Sequence, residues 1–261
     1  MRAASLARAG RSLLGVAVFG AALGLWEAWA RSKGSFLIPP ASTVVDAAWE
    51  GWPTTDFLTM VWASLKRLAA GYVIGAGIGI ALGLLMGASR GTRRTLEPFV
   101  EFARAMPAIA IVPAAIVLLG LGDAMRITVI SFGVCFPVLI NTVEGVRAVS
   151  PEARDSASML RVGAAERIFR IYLPAALPSI VAGLRVALSI GLVMLVISEF
   201  VGEGDGLGRY ILFQQSQFNV PEVYSGILFL GLLGYVLNQL FLIAERRVLS
   251  WHYGAIGESA R

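Results

Sequence analysis

The chain has 261 residues, of which 57% are hydrophobic and only 15% are charged, whereas an ordinary soluble domain has roughly 25% charged residues. This composition excludes such a domain and predicts an all-α integral membrane protein, because a helix satisfies its backbone polar groups internally in lipid. The net charge of +5 does not indicate nucleic acid as a partner, since no basic stripe interleaved with aromatic residues accompanies it. A single cysteine, Cys135, and a single histidine, His252, exclude an intrachain disulfide and most metal chemistry, so no metal ligands are assigned.

Six apolar segments are long enough to cross about 30 Å of hydrocarbon, which takes about 20 helical residues. They lie near residues 12–30, 69–88, 98–120, 127–148, 174–198 and 223–244. They divide the chain into a cytoplasmic tail with the first helix (1–35), an external segment (36–68), a core of five helices (69–252) and a C-terminal tail (253–261). The arginines before the first segment are also typical of a secretion signal, but the length of its apolar run and the five spans after it favour a retained helix.

Basic residues predict the orientation of the chain, because they concentrate on the cytoplasmic side of the membrane. If the N-terminus is inside and six helices cross, most of the 22 basic residues fall on the inner side. We therefore predict a multi-pass protein of a bacterial plasma (inner) membrane, with cytoplasmic N- and C-termini and membrane lipid around it.

The external segment contains Pro39 and Pro40, which interrupt any helix there. Ser42 or Thr43 could cap a short helix that runs to about Trp52. Tryptophans in this stretch suit the membrane interface, so we predict that the segment lies on the membrane surface.

The second segment carries five glycines at an interval of four residues, which on a helix form one smooth face for close packing of another helix. They are Gly71, Gly75, Gly79, Gly83 and Gly87. Prolines occur in the later segments, at Pro107, Pro113, Pro137, Pro174 and Pro178. Proline kinks a helix and frees carbonyl groups, so these positions either line a pathway or are tolerated irregularities of a packed bundle.

Two ionisable residues belong to the fifth segment, Glu199 near its outer end and Arg185 within it, and a charge at membrane depth is by default a functional hypothesis. Glu199 either contacts a ligand or bonds to the glycine-rich loop "GEGDGLG" that follows it. Arg185 is expected to pair with a neighbouring chain or with a carbonyl group.

A polar island, "ARDSASMLRVGAAERIFRIYLPAALPS" over residues 153–179, separates the fourth and fifth segments. If residues 154–172 are wound as a helix, one apolar stripe results. It consists of Ala157, Leu160, Ala164, Ile168 and Ile171. Three interpretations compete: a solvated loop with helical tendency, a helix lying in the lipid headgroups, or a docking element for a cytoplasmic partner.

The island resembles the "EAA" loop of ABC importer permeases, whose pattern ends in Ile, any residue, Leu-Pro. Aligned on Ile171, Leu173 and Pro174, the Glu-Ala-Ala positions are Asp155, Ser156 and Ala157. The glycine of the family pattern falls on Arg161, with Gly163 two residues later. Because arginine does not readily adopt a positive φ, we expect the loop to be helical at Arg161 or to bend at Gly163 instead.

The resemblance extends over about residues 36–252, including "LIPPASTVVDAAWEG", "ARAMPAIAIVPAAIVLLGLG" and "LPAALPSIVAGLRVALSIG". The stretch "SEFVGEGDGLGRYI" and the last apolar segment are similar to the subgroup that serves aliphatic sulfonates, taurine and nitrate. The resemblance implies a type I ABC importer permease fold with six transmembrane helices. It also implies import of a small solute, such as one of these anions, by alternating access.

The resemblance further implies the partners: two cytoplasmic ATP-binding subunits, a second permease copy in a homodimer, and a periplasmic or lipid-anchored solute-binding protein. The chain has no phosphate-binding loop of the Gly-x-x-x-x-Gly-Lys-Ser/Thr type, so it is expected to be non-catalytic and to hold no cofactor. ATP and Mg are expected in the ATPase partner, whose force reaches the permease through a coupling loop over residues 150–173.

The residues assigned to ATPase coupling are Asp155, Ser156, Ala157, Leu160, Arg161, Gly163, Ala164 and Ile168. The pathway candidates are the irregular or polar core positions Met106, Pro107, Phe136 and Asn141, together with Glu199.

A secondary transporter or channel is the alternative function. It would show paired acidic residues at mid-membrane or an inverted repeat, and neither is evident in the sequence. A membrane enzyme would need a nucleophile with its base or several histidines.

Overall fold

The computed structural model describes residues 2–201 and 204–250, with the backbone alone for residues 2–16, 108 and 158. All regular elements of these residues are helices, which confirms the all-α prediction. The described residues fall into two compact units, one drawn from residues 1–59 and 210–230 and the other from residues 60–209 and 231–261. The predicted C-terminal tail and His252 lie outside the described residues.

The first unit contains α1 (Arg2–Lys33) and the short α2 (Ala41–Gly51). The predicted short helix is therefore present, but neither Ser42 nor Thr43 caps it, because the N-cap is Pro40. The Ser42 hydroxyl instead donates to Glu27 Oε1 of α1 at 2.8 Å, and the Thr43 hydroxyl donates to the Pro40 carbonyl. The Ser42–Glu27 bond joins α2 to α1.

An aromatic cluster completes the first unit, around Phe57, which is buried. Its ring meets Tyr210 of α10 (Leu207–Ser216) edge-on at 5.1 Å between centroids. It also meets Phe229 of α11 (Val220–Val248) at 4.9 Å. Edge-to-face contacts of this kind stabilise a packed core beyond the area that they bury.

The second unit is built on α3 (Thr55–Ala88), α6 (Asp123–Arg147) and α9 (Leu173–Glu199). Its apolar core is formed mainly by α6 and α9, with α3 packed against them. The fully buried members of this core include Met125, Val129, Ile130, Val134, Val138, Ala187 and Leu195. The helix α3 begins 14 residues earlier than the predicted span at residue 69, so helix occupies much of the predicted external segment.

The glycine stripe of α3 packs on α6, as the spacing predicts. A Cβ atom added at Gly79 would lie 2.6 Å from the Cys135 carbonyl oxygen, and one at Gly87 would lie 2.6 Å from Val146 Cβ. Such distances leave no room for a side chain, so only glycine allows the two helices to approach this closely.

The predicted third span over residues 98–120 is wrong as a continuous helix. The structure has α4 (Arg90–Ala105), a 3₁₀ turn (Ala108–Ala110) and α5 (Ile111–Leu119). The break lies at Met106, whose ψ of 131° is extended, because the ring of Pro107 disfavours the helical conformation of the residue before it. Pro137 and Pro178, in contrast, lie inside α6 and α9, which continue through them.

Four helices of the described residues are long and apolar enough to cross a membrane. They are Thr55–Ala88, Asp123–Arg147, Ala164–Glu199 and Val220–Val248. Each contains one of the predicted spans. The predicted first span lies within α1, and its passage through the membrane stays a prediction, as does the count of six.

Candidate functional site

The polar island folds as two short helices rather than one. The first, α7, covers Pro151–Met159, and the second, α8, covers Ala164–Arg167 and continues through a π-helical turn, Ile168–Tyr172, into α9. The condition for the predicted apolar stripe, one helix over residues 154–172, is therefore not met between Leu160 and Gly163.

The break is made by Arg161, which has a φ of +51°. The Val162 N–H donates to the Ala157 carbonyl at 3.0 Å, so α7 ends in a Schellman motif with Arg161 at the position where glycine is usual. Gly163 has a φ of −61° and is the N-cap of α8. Our expectation that the chain bends at Gly163 or stays helical is thus wrong, since Arg161 adopts the left-handed conformation despite its side chain.

The break redistributes the predicted apolar stripe. Leu160 is 77% exposed and Ala164 is exposed, as a docking surface requires. Ala157, however, is only 3% exposed. Ile168 is half-buried and packs against the core cluster that contains Tyr172 and Val146. These two assigned coupling residues face the interior of the chain. For Ile168 the cause is the turn at Arg161, which changes the register of α8 relative to α7.

Two further apolar residues of the loop are exposed, and the sequence pattern did not predict them. Met159 is 84% exposed beside Leu160, and Phe169 is 66% exposed in the π-helical turn. The single-helix pattern placed both off the stripe. An apolar pair directly before a polar Arg-Val-Gly turn is the signal that could have revealed Met159. We call Met159, Leu160, Ala164 and Phe169 the docking surface.

Two arginines hold the loop in place. Arg154 Nη2 donates to the Val146 carbonyl of α6 at 2.7 Å, and its guanidinium lies 5.8 Å from the centre of the Tyr172 ring. Arg167 Nε donates to the Val162 carbonyl at 3.0 Å, closing the turn between α7 and α8. These contacts connect the loop to the end of α6 and the start of α9, both of which belong to candidate membrane spans.

The remaining assigned coupling residues lie at the surface of the loop. Asp155, Ser156 and Arg161 are exposed. Glu166 and Arg170 form an exposed ion pair at 2.9 Å. Such pairs contribute little to stability, at most about 1 kcal/mol, so these side chains are available for contacts with another molecule.

Two of the pathway candidates line one cleft of about 290 Å³. Met106 and Phe136 lie there with Phe132, Ile140 and Ile190, and Arg104 stands among these apolar groups. Pro107 is exposed and adjoins Met106. Asn141 does not line the cleft, because its Nδ2 donates to the Pro137 carbonyl of its own helix at 2.8 Å. The structure thus brings together Met106 and Phe136.

Glu199 is fully buried at the end of α9, where its carboxylate accepts hydrogen bonds from several donors. Ser64 Oγ donates to Oε1 at 2.7 Å, Arg67 Nη1 donates to Oε1 at 3.1 Å, and the Gly208 N–H donates to Oε2 at 2.9 Å. The second of the two interpretations of Glu199, a bond to the glycine-rich loop, is the one that the structure supports.

Arg67 Nη2 also donates a hydrogen bond to Oδ1 of Asp205, in the same loop, at 2.5 Å. This hydrogen bond lowers the pKa of the Asp205 carboxyl below its usual range. Arg67 Nε donates to Asp123 at 2.7 Å, so one arginine joins α3, α6, α9 and the loop.

Arg185 pairs with Glu245 of α11, which corrects the prediction that a neighbouring chain or a carbonyl group is its partner. The two residues are separated by 60 positions, and the sequence contains no signal for their meeting.

The chain matches the family model described as "Binding-protein-dependent transport system inner membrane component" over residues 75–250. A protein of Bacillus subtilis (strain 168), named as an aliphatic sulfonates transport permease protein, SsuC, is 34% identical over 189 residues, which are 72% of this chain and 68% of that protein. The bicarbonate transport system permease protein CmpB of Synechococcus elongatus is 34% identical over 188 residues, with the same shares of the two chains.

Among solved structures, the MetNI methionine ABC transporter in inward-facing conformations has a similar fold. The TM-score is 0.62 at 18% sequence identity, and the match covers 74% of this chain and 94% of that one. This likeness concerns the fold alone and agrees with the predicted ABC importer permease fold. The family match and the similarity to SsuC and CmpB place this chain in the family of binding-protein-dependent transport system inner membrane components, the permease subunits of ABC importers.

Proposed function

We propose that this permease subunit imports a small organic or inorganic anion, such as a sulfonate, taurine or nitrate, and that a separate ATPase drives it through the loop over residues 150–173. The observation that carries the proposal is the docking surface: apolar side chains at 77% and 84% exposure on a short loop that is tied to two membrane-spanning helices. Exposed apolar groups of this size on a polar loop favour a protein partner.

Apolar burial on the docking surface contributes more to the affinity for the ATPase than the charges around it. Burying one Leu-sized side chain contributes about 1.5 to 3 kcal/mol, whereas an exposed ion pair contributes at most about 1 kcal/mol. Leu160 and Met159 therefore supply most of the affinity for the ATPase. Asp155, Arg161 and Glu166 surround them and fix the register of docking.

Force then passes along the contacts of Arg154 and Arg167. A displacement of α7 is transmitted to the Val146 carbonyl at the end of α6 and to the Tyr172 ring at the start of α9. Because α6 and α9 pack as one core, they move together as a rigid pair between inward-open and outward-open forms. Alternating access by rigid-body motion is a population shift that ATP binding to the partner biases.

The assembly that we propose contains two copies of this chain, two ATP-binding subunits and an external solute-binding protein. ATP and Mg bind to the ATPase partner, and this chain has no catalytic role and no cofactor. The N- and C-termini lie in the cytoplasm, since that orientation places the arginines at the start of α4 and at the ends of α6 and α11 on the side where basic residues concentrate. Solute passes between the two copies, along the cleft that contains Met106 and Phe136.

An anionic solute is favoured by the relatives, whose names refer to aliphatic sulfonates and bicarbonate. Within the cleft, Arg104 is the cationic side chain, and Glu101 accepts from its Nη2 at 2.7 Å. Because that pair is exposed and exchangeable, it does not hold an anion tightly. Selectivity is accordingly assigned to the external binding protein.

The experiment is reconstitution of the chain in proteoliposomes with the ATPase and the binding protein that co-purify with it from native membranes. Uptake of radiolabelled sulfonate, taurine, nitrate and bicarbonate is measured with internal or external ATP. Uptake of one of these anions that requires both ATP and the ATPase supports the proposal. Concentrative uptake by the chain alone would instead establish a secondary transporter.

A further inference from the structure

Five arginines surround one cavity of about 400 Å³, and the proposed coupling mechanism uses only one of them, Arg154. Three belong to the first turns of α4, one to the end of α6 and one to α7. They are Arg90, Arg93, Arg94, Arg147 and Arg154. Met86 and Gly87, at the end of α3, form its apolar side.

The positive charge of the cavity is poorly compensated by protein groups. Within the part of the chain that the structure describes, Arg90, Arg94 and Arg147 make no ion pair within 4.0 Å. Arg93 Nε is buried and has no hydrogen-bond partner; its nearest carboxylate oxygen, Glu97 Oε2, is 3.9 Å away. Arg154 is held by the Val146 carbonyl and the Tyr172 ring, so the uncompensated charge is that of the other four arginines.

Acidic side chains do occur nearby, on the far side of Arg93 and Arg147. Glu97, Glu101 and Glu144 line a neighbouring cleft to which these two arginines also contribute. None of the three lines the arginine cavity itself. Guanidinium groups that converge without a carboxylate between them repel one another, so an anion from outside the chain would stabilise the arrangement.

A phosphate group fits this arrangement better than a carboxylate. Arginine binds phosphate through paired hydrogen bonds in a fixed planar fork, and several such forks need more acceptor oxygens than one carboxylate offers. The helix α4 begins at this site, with Ser89 as its N-cap, and the positive end of its dipole also favours an anion.

We propose that the five-arginine cavity binds a phosphate group, which joins the α3–α4 connection to the end of α6 and to α7. The expected ligand is either the headgroup of an anionic phospholipid or a soluble phosphate compound, and the two share this chemistry. Met86 and Gly87 lie near the end of a helix that is long and apolar enough to cross a membrane, and the ends of such helices meet the lipid headgroups. Basic pockets between transmembrane helices on the cytoplasmic side are typical binding sites for anionic headgroups. The site is independent of the transported solute and of docking by Leu160.

The test uses the full chain in nanodiscs and compares Arg90→Gln/Arg94→Gln with Arg246→Gln/Arg247→Gln. The second pair removes the same charge from the exposed end of α11, away from the cavity. In the lipid arm, native mass spectrometry counts phosphatidylglycerol retained in competition with phosphatidylcholine. In the soluble arm, binding of inorganic pyrophosphate is measured in pure phosphatidylcholine nanodiscs.

Saturable binding in either arm is expected, with a loss of about tenfold or more per guanidinium removed at Arg90 and Arg94 and little loss in the α11 variant. If the Arg90/Arg94 variant loses only phosphatidylglycerol, the ligand is a lipid headgroup. If it loses pyrophosphate binding, the ligand is a soluble phosphate compound. An Arg94→Lys variant keeps the charge but not the fork, and an intermediate loss is expected from it. Equal losses in both double variants, absence of saturable binding, or a defect limited to ATPase capture would overturn the proposal.

Discussion

Arg67 of α3 and Glu199 of α9 form an ion pair in the interior of the second unit, with Nη1 3.1 Å from Oε1. Glu199 is fully buried and Arg67 is 5% exposed. The loop can lie this close to the Glu199 carboxylate because Gly206 and Gly208 have no side chains: a Cβ atom added at either residue would collide with the Glu199 side chain. This pair therefore fastens the loop before α10 to the helices on either side of it.

Replacing Glu199 by alanine is expected to lower the free energy of unfolding by about 3 kcal/mol, because Arg67 loses a buried partner. Ser64 and the Gly208 N–H also lose their acceptor. The measurement is the unfolding midpoint of the purified chain in detergent. Glu50→Ala, at an exposed position of α2, is the control and should change the free energy by less than about 0.5 kcal/mol. Equal effects of the two changes would refute the structural role of Glu199.

Asp205 makes stability depend on pH, because its hydrogen bond to Arg67 lowers the pKa of its carboxyl in the folded protein. Its contribution is fully present above the unfolded pKa of about 3.9 and is lost as pH falls through the lower folded pKa. Asp205 is 51% exposed, so the contribution is below about 1 kcal/mol. The difference in unfolding midpoint between the wild type and Asp205→Asn should be constant above about pH 5 and shrink toward about pH 3. A difference that grows on acidification would contradict this assignment.

Gly79 and Gly77 lie on the same helix, α3, and differ in the space around them, so alanine substitutions at the two positions test the contact with α6. A Cβ at Gly79 would lie 2.6 Å from the Cys135 carbonyl oxygen, whereas nothing lies within 4 Å of one at Gly77. Gly79→Ala is expected to cost about 1 to 3 kcal/mol through overpacking, and Gly77→Ala is expected to be neutral or slightly stabilising. Thermal unfolding of both variants in the same detergent provides the comparison. Equal midpoints would mean that α3 and α6 are not in close contact.

Much of this fold can be predicted from the sequence, where the local pattern and the tertiary packing agree. The glycine interval in α3 predicts its contact with α6 because the spacing of four residues repeats on one helix face. The interruption of the third span could not be predicted from hydrophobicity, because the residues on both sides of Met106 are apolar. The break arises from Pro107, which disfavours the helical conformation of Met106. The partners of Arg67 and Arg185 are distant in sequence, so no local pattern identifies them.

Substitutions of Arg161 test whether its left-handed backbone conformation strains the coupling loop. Its φ of +51° costs an L-residue with a side chain roughly 1 kcal/mol relative to glycine. Arg161→Gly is expected to preserve or increase the amide exchange protection of Val162, whose N–H is bonded to Ala157. Arg161→Val, with a branched Cβ, is expected to decrease it. Hydrogen exchange followed by mass spectrometry checks both; lower protection in the glycine variant than in the valine variant would show that the turn is not left-handed.

The exposed apolar residues of the loop were predicted only in part, for a physical reason. Of the residues on the predicted stripe, Leu160, directly after α7, and Ala164, at the start of α8, are exposed. The amphipathic period placed Ala157 and Ile168 on the same surface because it assumed one helix. The positive φ of Arg161 changes the register between α7 and α8, and no residue preference predicts that conformation for arginine.

The central claim is that an ATPase docks on Met159 and Leu160. The most direct measurement is co-purification of the ATPase with the full-length chain carrying Leu160→Asp, compared with Ala165→Asp at an exposed position of α8 outside the docking surface. Both variants add the same charge to the loop. The account predicts that Leu160→Asp reduces ATPase capture by about tenfold or more while membrane insertion is unchanged, and that Ala165→Asp retains most of it. Undiminished capture by the Leu160→Asp variant would contradict the account.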